Sequence, residues 1–228
     1  MYDLKLISQM VKASITNAVS LLEEAKILAD NNKIERAFFL TIIAIEEMGK
    51  ATMYNNSVQY GKNNSLFQNK FNNFKTKHAF KIFKSIIFKN NMQMNLDYDF
   101  SDIEVLAKEI DSLKMSSLYV DLKNGNVISP VAQIKVEDFL AMYEFASQIM
   151  NHHLYILENG FYEVEFYKQV KEFYSDDNIQ SLQEKLFKGE LSREEYLTNL
   201  IEQAILKENN VFAKFLISSL YLSLNNIS

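Results

Sequence analysis

The chain has 228 residues, no cysteine and a formal net charge of −5, with 48% apolar and 23% charged residues. That composition excludes wholesale disorder, a disulfide framework, thiolate zinc centres and cysteine nucleophiles. Five glycines and one proline are too few for the tight turns of a strand-rich sandwich or barrel, so a mostly helical, all-α chain is expected.

In chain order, the first helix is predicted over about residues 3–30, where Leu4, Ile7, Val11, Ile15, Ala18, Leu22, Ala25 and Leu28 recur at three- and four-residue steps. After the polar break Asp30-Asn31-Asn32, a second helix is predicted over 33–54, followed by an Asn- and Gly-rich loop to 65. A third covers 66–89, with Phe67, Phe71, Phe74, His78, Ile82 and Ile86 on or near one stripe. Ser101 and Glu104 match a capping box opening a fourth helix to about residue 115. Residues 117–130 turn β-branched and aromatic around Lys123-Asn124-Gly125-Asn126, the pattern of a short hairpin or ordered loop. A fifth helix is expected over 136–158, ending at the C-cap Asn159-Gly160.

Residues 161–228 read as three or four shorter helices, with Ser192 and Glu195 as a second capping box, Gly189 as a separator and an amphipathic helix near 211–224. No Pro/Ser-rich linker divides the chain. The expected organisation is a helical domain over 1–160 and a helical extension, 161–228, packed on the same bundle.

Charge is unevenly spread. Residues 48–96 contain no Asp or Glu but eight lysines, among them Lys50, Lys70, Lys75, Lys77, Lys81 and Lys84. A basic segment in an acidic protein fits a phosphate-bearing partner, an acidic protein surface, or a solvated helix face paired with the chain's own acidic half. Residues 1–11 lack the continuous apolar core of a secretory signal. The longest apolar stretch, Ala37–Ile45, is interrupted by Thr41 and is far short of the roughly 20 residues of a membrane span. A cytoplasmic location without membrane contact is expected.

The second helix is the most informative. Ile34, Phe38, Thr41, Ile45, Met48 and Thr52 share one face, while Phe39, Leu40 and Ile43 make the other side apolar as well. Such a helix is buried on two sides. Arg36, Glu47 and Lys50 are then expected as partly buried charges, and Glu46 with Lys50 as an ion pair four residues apart. These charges either fix packing or form a polar site in an apolar wall. His78 is one of only three histidines, so candidates for proton transfer near neutral pH are few. His152 and His153 are adjacent and diverge by about 100° on a helix. No HExxH spacing is present, and neither a metal site nor a cofactor is expected. There is no GxxxxGK[ST], GxGxxG or GxSxG, which leaves nucleotide hydrolysis and serine-hydrolase chemistry without support.

Three blocks together carry a resemblance. Ala44-Ile45-Glu46-Glu47-Met48-Gly49-Lys50-Ala51 resembles the A-I-E-E-hydrophobic-G-K core of the AbiV family of bacterial abortive-infection proteins. Lys77-His78-Ala79-Phe80-Lys81 resembles its H-x-x-K block, and Leu118-Tyr119-Val120-Asp121, with Gly125 and Pro130, its L-Y-V-D…P segment. The resemblance covers roughly residues 15–153. It implies a HEPN-like, dimerising helical bundle and an antiphage role in which protein synthesis stops after a phage product is sensed. Many HEPN proteins are metal-independent ribonucleases whose motif is Arg, four residues, then His. Here Thr41 stands five residues after Arg36, and Thr198 five after Arg193, so that motif is absent.

Two readings follow. In the first, a variant ribonuclease site uses Arg36, Glu46, Glu47, Lys50, His78 and Lys81, with Lys70, Lys75, Lys77 and Lys84 on RNA. His78 would act as base or acid, and Lys50 and Lys81 would stabilise phosphorane charge. In the second, a non-catalytic protein binds a phage protein and blocks translation by occupancy. The same charges would also serve simply to hold a homodimer together.

Overall fold

The computed structural model describes residues 3–58, 77–92, 99–123 and 125–207. The described residues form nine helices and one two-stranded hairpin. Helix α1 spans Leu4–Asp30 and opens on Asp3, whose carboxylate accepts the backbone N–H of Lys5. Asn32, in the left-handed region at φ 58°, turns the chain back, and α2 follows over Ile34–Asn56. The short connection makes α1 and α2 an antiparallel pair. Ile7, Val11, Ile15, Ala18 and Leu22 of α1 join Phe38, Ile42, Ile45 and Met48 of α2 in one buried core.

Helix α3 spans His78–Met92 and α4 Phe100–Ser116. Strands β1 (Asp121–Lys123) and β2 (Asn126–Ile128) form an antiparallel hairpin with Leu122 opposite Val127. Gly125 at its tip has φ +79°, which suits glycine at a tight turn. A single helical turn, α5 (Pro130–Gln133), leads into α6, Val136–Glu158, which ends at Asn159 with Gly160 at φ +75°. Helices α7 (Val164–Tyr174), α8 (Asp177–Phe187) and α9 (Arg193–Leu206) complete the described chain. The fold is all-α.

Two helix starts differ from the expected ones. The fourth helix is capped by Asp99, not by Ser101 with Glu104. The Asp99 carboxylate accepts both the backbone N–H and the hydroxyl of Ser101, leaving Ser101 inside the first turn. A carboxylate at the N-cap satisfies the open N–H groups and complements the helix dipole, so it outcompetes a serine two residues on. Lys77 is not helical, so the third helix opens at His78. The Ser192–Glu195 capping box is present as expected, at the start of α9. The predicted stripe Phe67, Phe71 and Phe74, the helix over 66–76 and the amphipathic segment 211–224 lie outside the described residues.

Helix α2 is the centre of the bundle, with α1, α3, α4 and α6 packed around it. Residues beyond α6 hold on to α1. The Ser8 hydroxyl donates to the Tyr162 carbonyl at 2.7 Å, and Lys12 pairs with Glu163 at 2.5 Å. On α6, fully buried His153 stacks on Phe88 with ring centroids 4.0 Å apart. Its Nδ1 lies 2.7 Å from the Tyr162 hydroxyl and its Nε2 3.5 Å from Thr52 Oγ1. Burial, reinforced by neighbouring His152, pushes this imidazole down to about 3, so it is neutral in the folded protein. His152 and His153 are thus core residues.

Candidate functional site

The site begins with a glycine. A Cβ on Gly49 would sit 1.9 Å from the Lys81 carbonyl oxygen. Only a residue without a side chain lets α2 and α3 approach backbone to backbone here. One turn earlier, the Ser85 hydroxyl donates to the Ile45 carbonyl at 2.6 Å and locks the same crossing. This contact sets α3 against the face of α2 that carries Glu46.

Glu46 is buried, at 3% exposure. A lone carboxylate there would be costly, and three cationic or protonatable side chains meet it. His78 Nδ1 lies 2.6 Å from Oε2, Lys81 Nζ 3.7 Å from the same oxygen, and Lys114 Nζ 2.6 Å from Oε1. Lys114 comes from α4 and also reaches Asp111 at 2.6 Å. Burial opposes its charge, but the hydrogen bonds to Asp111 and Glu46 outweigh that and hold its ammonium above the ordinary lysine range. Lys81 and Lys114 are both buried, whereas His78, at the first residue of α3, keeps its imidazole 54% exposed.

This arrangement has a chemical consequence. A carboxylate that accepts Nδ1–H from an imidazole fixes its tautomer and leaves the lone pair on Nε2. The two lysines pair with Glu46 and hold it in place, so an oriented, solvent-accessible His78 stands on a buried ionic base.

The structure separates the other candidates. Glu47 is turned about 100° from Glu46 and pairs with Lys50. The expected Glu46–Lys50 pair is therefore replaced by Glu47–Lys50, because Lys81 and Lys114 already occupy Glu46 and Lys50 sits on a half-buried flank. Arg36 is exposed, contrary to the expected partial burial. It lies ten residues before Glu46, about 15 Å along the helix axis, near the solvent-facing start of α2 and away from the cluster. Thr41, where the usual motif would place histidine, is fully buried and donates to its own helix at the Ala37 carbonyl.

Among the lysines expected on RNA, Lys77 is exposed beside His78. Lys84 lies half-buried over the rings of Phe80 and Phe83, at 5.3 and 6.0 Å, and burial lowers its pKa. Lys70 and Lys75 lie outside the described residues.

Lys114 and Asp111 were not anticipated. A signal did exist: Ile103, Ala107 and Ile110 form the buried stripe of α4, and Lys114 occupies its next step. A charge on a core stripe requires a partner. Among the described residues, no group of three or more His, Asp or Glu is placed to hold a metal ion. None of the described helices is long and apolar enough to cross a membrane.

The fold and the inward-facing polar cluster on its central helix define the class as an all-α, HEPN-like bundle. The family model described as AbiV, of the HEPN type, matches residues 6–151, and the chain belongs to that family. No curated protein and no solved structure matches it. Membership of the AbiV family points to abortive infection, a form of antiphage defence.

Proposed function

We propose that this protein is a cytoplasmic antiphage effector that stops translation by cutting RNA without a metal, once a phage protein has activated it. The observation that carries this reading is the 2.6 Å bond between buried Glu46 and exposed His78. His78 Nε2 takes the proton from a ribose 2′-hydroxyl, whose oxygen attacks the adjacent phosphorus. The products are a 2′,3′-cyclic phosphate and a free 5′-hydroxyl. The leaving 5′-oxygen receives its proton from Nε2–H of His78 in the second copy of a homodimer, which enters the step as the imidazolium. Lys77, next to His78, supplies cationic charge to the phosphate, and Lys81 and Lys114 act through Glu46 as positioning residues. Arg36, Glu47 and Lys50 have no part in this scheme.

The test is cleavage by purified protein in the presence of a chelator. Cyclic-phosphate ends that disappear in His78→Ala, with the fold retained, support the reading. Intact RNA in the presence of the activating phage protein refutes it.

One observation favours a second reading. At the usual ribonuclease positions Arg36 is exposed and Thr41 is buried in the core. On that basis the protein is a non-catalytic partner that binds a phage protein and blocks translation by occupancy. Protection by His78→Ala at the wild-type level favours this second reading.

A further inference from the structure

Helix α4 carries a second feature beside the ionic cluster. Between α4, α5 and α6 runs an open groove of about 450 Å³, lined by Phe38, Leu106, Leu113, Ile134, Met142 and Phe145 among others. Leu106 and Leu113 lie on its wall at 44% and 43% exposure, and they are two turns apart on one face. Val131, Val136 and Leu140 add exposed apolar surface on the neighbouring elements. Large side chains left in water at this spacing mark a surface built to be covered.

Acidic side chains outnumber basic ones around the groove. Asp138 lines it, and Asp102 and Glu109 are exposed on the flank of α4 next to Leu106 and Leu113. Lys108 lies on the opposite side of that helix and is paired with Glu104. Lys89 is seated over the Phe145 ring, and exposed Lys135 follows the lining residue Ile134. An acidic rim repels RNA and favours a cationic partner. The groove's two-turn spacing matches the i, i+3, i+4, i+7 anchors of a bound helix.

The groove is also connected to the site. Leu113 faces it, and the next residue, Lys114, holds Glu46 from inside. A ligand that displaces this part of α4 changes the Lys114–Glu46 contact and, through Glu46, the orientation of His78.

We propose that the α4–α6 groove docks one amphipathic helix with a cationic flank, borne by a protein partner, and that docking is transmitted to His78 through Lys114. The second half rests on the His78–Glu46 dyad being the working site. The probe is a synthetic helical peptide with leucines at the a and d heptad positions and lysines elsewhere. Its counterpart carries glutamates in place of the lysines. Calorimetry on the full chain is expected to show saturable one-to-one binding of the lysine peptide and none of the glutamate peptide. Leu106→Glu and Leu113→Glu, both at half-exposed positions that tolerate charge, are each expected to weaken binding by about tenfold or more. Nuclear magnetic resonance of the imidazole signals is expected to show His78 shifting on saturation in wild type and not in Lys114→Met.

Equal binding of the glutamate peptide, or full binding by Leu106→Glu, overturns the groove assignment. Saturable binding that leaves His78 unmoved overturns the transmission. A wild-type dimer that Leu106→Glu converts to monomer makes a second copy the occupant and also overturns it. None of these readouts involves RNA cleavage, so the ribonuclease reading can fail without deciding them.

Discussion

At the residue scale, Glu46 and Glu47 are neighbours with different physics. Glu46 has Lys81, Lys114 and His78 around a carboxylate closed to water. Glu47 pairs with Lys50 on a half-buried flank. Glu46→Gln removes the counter-charge of two buried ammonium groups and is expected to cost about 3–5 kcal/mol in urea denaturation. Glu47→Gln is expected to cost less than about 1 kcal/mol. Equal losses would contradict the burial asymmetry. His78→Ala truncates a half-exposed ring while Glu46 keeps both lysines, so its stability is expected to change by less than about 1 kcal/mol. This makes it the informative functional variant, since lost activity cannot be attributed to lost fold. The sequence set His78 on an apolar stripe with Lys81 one turn on and placed Glu46 in a block of family resemblance, but its helix reading expected Glu47 rather than Glu46 to be the buried carboxylate. It could not pair Glu46 with Lys114, 68 positions away, because single-sequence periodicity reports which face a residue occupies and not what meets that face. The same limit explains Lys50, whose partner is chosen by what else competes for Glu46.

At the element scale, the α2–α3 crossing is the positioning device. Gly49 admits the Lys81 carbonyl, and Ser85 bonds across to Ile45. Gly49→Ala gains about 1 kcal/mol of helix propensity. That gain is outweighed, because the new methyl forces the two backbones apart, a net loss expected at about 1–3 kcal/mol. The same separation lengthens the Lys81 and His78 contacts to Glu46, so function should fall more than stability. A stabilised Gly49→Ala with full antiphage protection would contradict the close approach. Helix positions were legible from the three- and four-residue recurrence, and α6 falls where the pattern placed it, over Val136–Glu158. Helix ends were less so. Asp99 displaced the Ser101–Glu104 box, because several short polar residues competed to cap one helix and only geometry chooses among them.

At the scale of the whole molecule, the core contains a pH liability. His153 is neutral when folded, its pKa brought down to about 3 by burial, whereas an unfolded histidine titrates near 6.5. Between those values the unfolded chain binds a proton that the folded chain does not. Stability is therefore lost as pH falls through 6.5, by about 1.4 kcal/mol per pH unit, until the folded group itself titrates. His152, lowered by burial and by Lys89, adds in the same direction. Urea midpoints measured from pH 7 to 5, above the ordinary carboxylate range, are expected to fall in wild type. They should fall less steeply in His153→Gln, even if that variant is less stable throughout. Parallel slopes for the two proteins would contradict the buried neutral imidazole. The all-α class was legible from composition, since so few turn-forming residues leave little room for sheet. The bundle's order around α2 was only half legible. The apolar girdle of that helix announced that it lies inside, but which helices surround it depends on side-chain fit across the fold.

The proposed role of His78, oriented by Glu46, as the acid–base group of an RNA-cleaving effector is open to direct test in infected cells. The most direct measurement is sequencing of RNA ends in phage-infected cells expressing wild type or His78→Ala at matched levels. New site-specific cuts bearing 5′-hydroxyl ends are expected in wild type and not in the variant, which is also expected to lose protection. Protection and translational arrest with intact RNA, or identical cuts in His78→Ala, would contradict that role.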